Sequence, residues 1–157
     1  MMQIFERALI VVGHTNDELT VYGKNGYVVG IKQNIDKFVE RKCRNFGNDF
    51  NTAKHCFRNR NTVRKNSPIC VCVTRKIFFY SIDCTVTNQP IWFRYSPNMK
   101  YRKIDENRYG IFYDQELLII ATFSKHKFDT QVKRIKDFIN GLIECYNCPR
   151  LGCINCL

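Results

Sequence analysis

Between Ile31 and Ile35 the apolar residues of this chain change period, and that change restricts it to a mixed fold. Before it, Leu19 and Val21 face one way and Glu18, Thr20 and Tyr22 the other, which is the alternation of a strand. Ala8 to Val12 is a compact apolar run, and His14-Thr15-Asn16-Asp17 is turn chemistry. Asn25-Gly26 is a strong hairpin signal, because a two-residue turn of the favoured hand needs positive φ at both positions. Tyr27 to Ile31 is the returning strand. The first thirty residues therefore read as a three-strand meander, with Met1 to Glu6 leading straight into it. After the change, Ile35, Phe38, Val39, Cys43 and Phe46 recur at helical spacing. Asn34 can cap this helix, Asp36 suits its positive end, and Gly47 can stop it. A second helix from about Asp49 would turn Phe50, Ala53 and Phe57 inward and Lys54, Arg58 and Asn61 outward. Asn59 to Ser67 reads as a fraying end and loop.

The strand pattern returns at Pro68. Ile69 to Val73 and Ile77 to Tyr80 are β-branched and aromatic, joined at Thr74-Arg75-Lys76. Asp83 to Gln89 is a polar loop, and Ile91 to Phe93 is the next strand. Ser96 to Met99 is a turn. Tyr101 to Ile104 and Tyr109 to Phe112 are short strands around Asp105-Glu106-Asn107, and Glu116 to Phe123 reads as a central strand. Phe128, Val132, Ile135, Ile139, Leu142 and Tyr146 then repeat at four and three, which predicts a helix over Lys125 to Tyr146. The expected fold is α+β: a mainly antiparallel sheet, a central helical pair and a C-terminal helix. Residues 1–144 are expected to form one domain, with 145–157 a cysteine-rich tail. At 157 residues and 45% apolar composition, the chain can build one core and is not of the disordered class. Its longest apolar runs are far too short to cross a bilayer. Met1 to Glu6 lacks the basic and apolar regions of a signal peptide. A cytoplasmic protein with no membrane partner is expected, and its nine cysteines should be mostly reduced there.

The formal charge is +11, which points to an anionic partner, nucleic acid first. Nine of the cations lie between Asp36 and Lys65, against three acids. That surplus of six is over half the total charge in less than a fifth of the chain. Such a cluster can neutralise phosphates and release counterions. Arg41, Lys42, Arg44, Lys54, Arg58, Arg60, Arg64 and Lys65 are the cationic candidates for a DNA-binding surface. Asn48 and Asn51, interleaved with them, can bond phosphates or base edges. The plainer reading is two amphipathic helices that cover a sheet face and leave a solvated basic exterior. A second candidate patch combines Arg94, Lys100, Arg102 and Lys103 with Tyr95 and Tyr101, since aromatics among cations can stack on bases. Strand residues pointing alternately in and out would give the same pattern.

The order of these motifs resembles the competence transcription factor (ComK) family. Cys43-Arg44-Asn45-Phe46-Gly47-Asn48-Asp49-Phe50, then Lys54, is similar to a family stretch of Cys, aromatic residues, two small polar residues, an aromatic and a basic residue. Ser67-Pro68-Ile69, Ile77 to Tyr80, Cys84, Trp92, Phe112 to Leu118, Phe128, Gln131 and Arg134 continue the resemblance in order over about residues 8–140. Asn48-Asp49 stands where the family has two serines, and Ala53-Lys54 where it has Gly-Arg. The resemblance implies an activator that binds double-stranded DNA at paired AT-rich promoter boxes, largely through the minor groove, and switches on DNA-uptake genes. It also implies dimers or tetramers. Arg44 and Lys54 match its basic motif. RNA polymerase is the further partner an activator would contact.

Cys145, Cys148, Cys153 and Cys156 form two C-x2-C pairs within twelve residues. Four thiolates can hold one tetrahedral Zn²⁺, although the gap between the pairs is shorter than in ordinary zinc ribbons. The alternative function is accordingly a zinc-dependent protein-interaction module; a frayed, reduced tail is the plain reading. No cofactor is required by the DNA-binding reading. Cys43, Cys56, Cys70, Cys72 and Cys84 read as small core residues, with Cys70 and Cys72 on one strand face. His14, His55 and His126 belong to no metal motif, and no nucleophile elbow, P-loop or dinucleotide fingerprint is present. Adjacent His55 and Cys56 would point about 100° apart on a helix. Asp105 and Glu106 read as turn residues. An enzyme is not expected.

Overall fold

Asn25 and Gly26 have φ of 59° and 71°, so the expected hairpin turn forms with both central residues left-handed. Gly23 and Tyr27 close its base through a 2.8 Å backbone hydrogen bond. The turn joins β2 (Glu18–Tyr22) to β3 (Val28–Ile31), and β1 (Ile10–Thr15) pairs with β2, completing the meander. The computed structural model describes residues 2–15, 17–45, 67–72 and 75–146.

Two antiparallel sheets are present among the described residues. The larger has the order β3-β2-β1-β6-β5-β4, where β4 is Ile69–Cys72, β5 Ile77–Asp83 and β6 Pro90–Arg94. The smaller has the order β7-β8-β9, from Met99–Lys103, Tyr109–Tyr113 and Glu116–Ala121. The helices among the described residues are α1 (Met2–Arg7), α2 (Ile35–Asn45) and α3 (Lys125–Tyr146). The α+β class and the C-terminal helix are as expected. The second member of the expected helical pair, from Asp49 onward, lies outside the described residues.

The larger sheet is covered on both faces. Val11, Leu19, Val21, Ile77, Phe79 and Trp92 turn to one side, where Phe5 of α1 and Ile35, Phe38, Val39 and Cys43 of α2 close over them. Ile10, Phe78, Tyr80, Ile82, Ile91 and Phe93 turn to the other, against Ile111 and Tyr113 of the smaller sheet and Phe128, Ile135 and Phe138 of α3. Burial on both faces explains why β5 and β6 carry consecutive apolar residues. Gln131 is buried in this second layer, donating to the Ser81 carbonyl at 3.0 Å and accepting from Arg134 at 3.0 Å. No described helix is long and apolar enough to cross a membrane.

Three expectations are corrected. Met2–Arg7 is a helix rather than a lead into a strand; Phe5 stacks on Phe79 with ring centroids 5.6 Å apart. Glu116–Ala121 is an edge strand of the small sheet, not a central one. Leu117 and Ile120 on its outer side are about half exposed. Cys70 and Cys72 do not share a face. A register shift between them pairs Cys70 with Phe78 but Cys72 with Ile77, which sends them into opposite core layers.

Candidate nucleic-acid interface

The basic segment begins on α2, and its first turn is fixed by local chemistry. Asn34 Oδ1 accepts the amides of Asp36 at 2.9 Å and Lys37 at 3.2 Å, satisfying donors that a helix start leaves unpaired. Ile35, Phe38, Val39 and Cys43 are buried beneath the helix, so Asp36, Lys37, Arg41 and Arg44 stand in solvent. Arg44 is held by Glu40 one turn earlier, at 2.8 Å. The order acid then base is the favourable one for this spacing.

Lys42 behaves differently from the other candidates. Its side chain is 1% exposed, with the ammonium 4.4 Å from the ring centre of Phe5 and 5.3 Å from that of Phe38. Burial, and then the charge of Arg41, lower its pKa from the ordinary lysine value to about 8. The expectation of Lys42 on a phosphate-facing surface is corrected accordingly: its stem and head pack between α1 and α2. Arg41 and Arg44 are the described members of the set that reach solvent. Asn48, Asn51, Lys54, Arg58, Arg60, Arg64 and Lys65 lie outside the described residues, as do His55 and Cys56.

The second patch is divided by the fold. Tyr101 points into the core, its ring 5.0 Å from Phe128 and edge-on to it, and its hydroxyl donates to Asp129 at 2.8 Å. Burial, then that hydrogen bond, raise its pKa to about 12. It is not placed to stack on a base. Lys100 and Arg102 alternate with it onto the outer side of the small sheet, where the Arg102 guanidinium lies 5.1 Å from the centre of the Phe112 ring. A concavity of about 770 Å³ opens there between Lys100, Arg102, Phe112 and the Asp114-Gln115 turn. Arg94 lies elsewhere, at the end of β6, whereas Tyr95, which follows it, lines a concavity shared with Lys100 and Tyr101. Sequence reading did not associate Arg75 and Lys76 with Arg94; no local spacing signals that pairing.

The remaining chemistry is structural where it is described. Asp105 forms the expected turn, accepting the amides of Asn107 and Arg108 at 3.1 and 3.0 Å and the Arg108 side chain at 2.6 Å. His14 shares a 2.6 Å hydrogen bond with Thr20. Among the described residues, no group of three or more His, Cys, Asp or Glu could hold a metal ion. Cys148, Cys153 and Cys156 lie outside those residues, as does the side chain of Cys145 in the last turn of α3.

No curated protein and no solved structure matches this chain. The family model described as ComK protein matches residues 3–143, from α1 to the last turns of α3 and across both sheets. The chain therefore belongs to the ComK family of competence transcription factors.

Proposed function

We propose that the chain activates transcription by binding double-stranded DNA, and that the basic segment opening on α2 is its principal contact. The observation that carries this reading is the nine-cation segment from Asp36 to Lys65, whose first four cations lie on α2, a helix with its apolar side committed to the core. With that side buried, Arg41 and Arg44 are presented rather than collapsed. The mechanism is stoichiometric: phosphates are neutralised, counterions are released, and no turnover occurs. AT-rich boxes suit such a surface because A-tracts have a narrow, strongly negative minor groove that attracts inserted Arg and Lys. The minor-groove code is degenerate, so box spacing supplies specificity, and paired boxes require a dimer or tetramer whose symmetry matches it. The domain spanning residues 1–144 carries this function in the cytoplasm, at the nucleoid, with RNA polymerase as the second partner and no required cofactor.

Two duplexes of equal length test the proposal, one with paired A-tract boxes and one of mixed sequence, titrated by fluorescence at two salt concentrations. Preference for the A-tract duplex that survives the higher salt is the expected result. Equal, salt-sensitive binding to both would reduce the surface to a non-specific one. No binding to either would shift the function to the four tail cysteines as a zinc-dependent docking module, which zinc content per chain would then test.

A further inference from the structure

We propose that the concave patch between α1, the β4–β5 turn and the end of β6 is a phosphate-binding pocket, with Arg94 as its principal ligand. The cavity holds about 450 Å³, and Arg7, Lys24, Lys76 and Arg94 contribute positive charge to its walls while Glu6 and Asp114 contribute negative charge. That volume lies within the range of small-ligand sites.

The charges are unequally occupied. Lys24 is ion-paired with Asp114. Arg7 lies over the Tyr27 ring, 4.0 Å from its centre. Arg94 is half-buried, and its guanidinium makes one long hydrogen bond, 3.4 Å to the Glu6 carbonyl oxygen. Among the described residues no carboxylate lies within ion-pair distance of it. Burial, and then the adjacent positive charge of Arg75, depress its pKa below the usual arginine value. A guanidinium withdrawn from water and set beside another cation gains most from an anion that can accept several of its five donors. Phosphate oxygens do this in a bidentate geometry.

The pocket is also preorganised. The Arg94 amide donates to the Leu9 carbonyl at 2.8 Å, and its own carbonyl accepts the Tyr113 hydroxyl at 2.7 Å. Tyr113 is fully buried, so the backbone that carries Arg94 is fixed from both sides. Lys76 is set at the rim by a left-handed backbone, φ 53°. Conformational freedom given up on folding is not lost again on binding.

The ligand chemistry is a phosphate group, from a nucleic-acid backbone or from a free phosphomonoester. The pocket does not rest on the DNA-binding reading, because its first test uses inorganic phosphate alone. Thermal unfolding of the full chain is followed in sodium phosphate and in sodium chloride at matched ionic strength. A saturable rise in Tm specific to phosphate is expected. In Arg94→Gln that rise should vanish while Tm in chloride is unchanged or higher, because repulsion by Arg75 is relieved. Lys76→Asn, which keeps the left-handed backbone, should weaken the rise and covers the case in which Arg94→Gln does not fold. The second arm measures duplex affinity against salt. A log–log slope smaller by about 0.9 in Arg94→Gln assigns the pocket to one backbone phosphate. An unchanged slope with the phosphate-specific rise intact in the wild type assigns it to a free phosphate. The absence of both a phosphate-specific rise and a change of slope would overturn the proposal, and so would a Tm of Lys76→Asn that follows phosphate like the wild type.

Discussion

Glu116, the first residue of β9, holds Gly26 at the tip of the β2–β3 hairpin. Its Oε1 accepts the Gly26 amide at 3.2 Å while its Oε2 accepts the Asn25 amide at 3.1 Å. The ion pair between Lys24 and Asp114 lies alongside. These contacts join the far edge of the large sheet to the β8–β9 turn of the small one, across about ninety residues of sequence. Glu116→Ala should cost about 1 kcal/mol, the scale of hydrogen bonds to a charged acceptor at a partly exposed site. Denaturant unfolding reads the loss. Native-state exchange of the Asn25 and Gly26 amides should accelerate while amides of β1 stay protected; uniform acceleration would mean that Glu116 supports the whole fold instead.

The β8–β9 turn has the backbone of the Asn25-Gly26 turn without its residues. Asp114 and Gln115 have φ of 50° and 71°. Asparagine, aspartate and glycine tolerate the left-handed region, whereas a long side chain such as glutamine is strained there. Gln115→Gly should therefore raise stability by about 1 kcal/mol, observed as a higher denaturant midpoint at unchanged m-value. A lower midpoint would show that the glutamine side chain earns its place through contacts in the concavity beside Lys100 and Arg102.

Lys42 and Arg41 are neighbours in sequence with opposite duties. Lys42→Ala removes packing between Phe5 and Phe38 and should lower Tm by several degrees, while leaving the salt slope of DNA binding unchanged. Arg41→Ala should leave Tm nearly unchanged and reduce that slope by about one. The pH dependence follows from Lys42's lowered pKa of about 8 against an ordinary 10.5. Between those values the unfolded chain binds a proton that the folded chain does not, so stability rises with pH there. The cost of the buried charge is fully present below pH 8. Lys42→Met should thus be more stable than the wild type below pH 8, with the advantage shrinking toward pH 10.5. A pH-independent difference would place the ammonium in water.

Elements with a strong period or a specific turn pair were readable from the residues. The α3 span and the Asn34 cap are of this kind, because Phe128, Val132, Ile135 and Ile139 can share a face only on a helix and the Asn34 side chain acts within three residues. What escaped reading depends on tertiary neighbours. Six residues make too short a helix to display a period, so α1 was hidden until Phe5 met Phe79. Glu116–Ala121 is apolar on both sides, and a strand buried on both faces would look the same; only the register shift against β8, which sets Leu117 opposite Phe112 and Ile120 opposite Gly110, puts both on one exposed face. The single-residue irregularity that separates Cys70 from Cys72 leaves no mark in composition. At the candidate site, charge density picked out the segment but could not distinguish Lys42 from Arg41, because Phe5 of α1, which covers the Lys42 ammonium, is remote from it in sequence.

Cys84 gives the sharpest chemical prediction. Burial raises the pKa of its thiol, but hydrogen bonds from the Thr122 and Thr87 side chains and from the Thr87 and Val86 amides outweigh burial and bring it down to about 7. The sulfur lies 3.2 Å from Thr122 Oγ1, and the Thr85 amide donates to the Thr122 carbonyl at 3.0 Å, which straps the β5–β6 loop to the end of β9. The thiolate is the reactive form, so alkylation of Cys84 in the native protein should be half-maximal near pH 7, read by peptide mass spectrometry over a pH series. Cys43 and Cys70, both buried, should remain unlabelled on the same timescale. Because the folded pKa lies below the unfolded one, the thiolate's contribution to stability is complete above about pH 9 and is lost as pH falls through 7. Thr122→Val keeps the shape of the side chain and removes one hydrogen bond to sulfur. It should move the labelling midpoint upward and flatten the stability gain between pH 7 and 9. A midpoint that stays near pH 7 in Thr122→Val would assign the shift to the Thr87 hydroxyl and the loop amides.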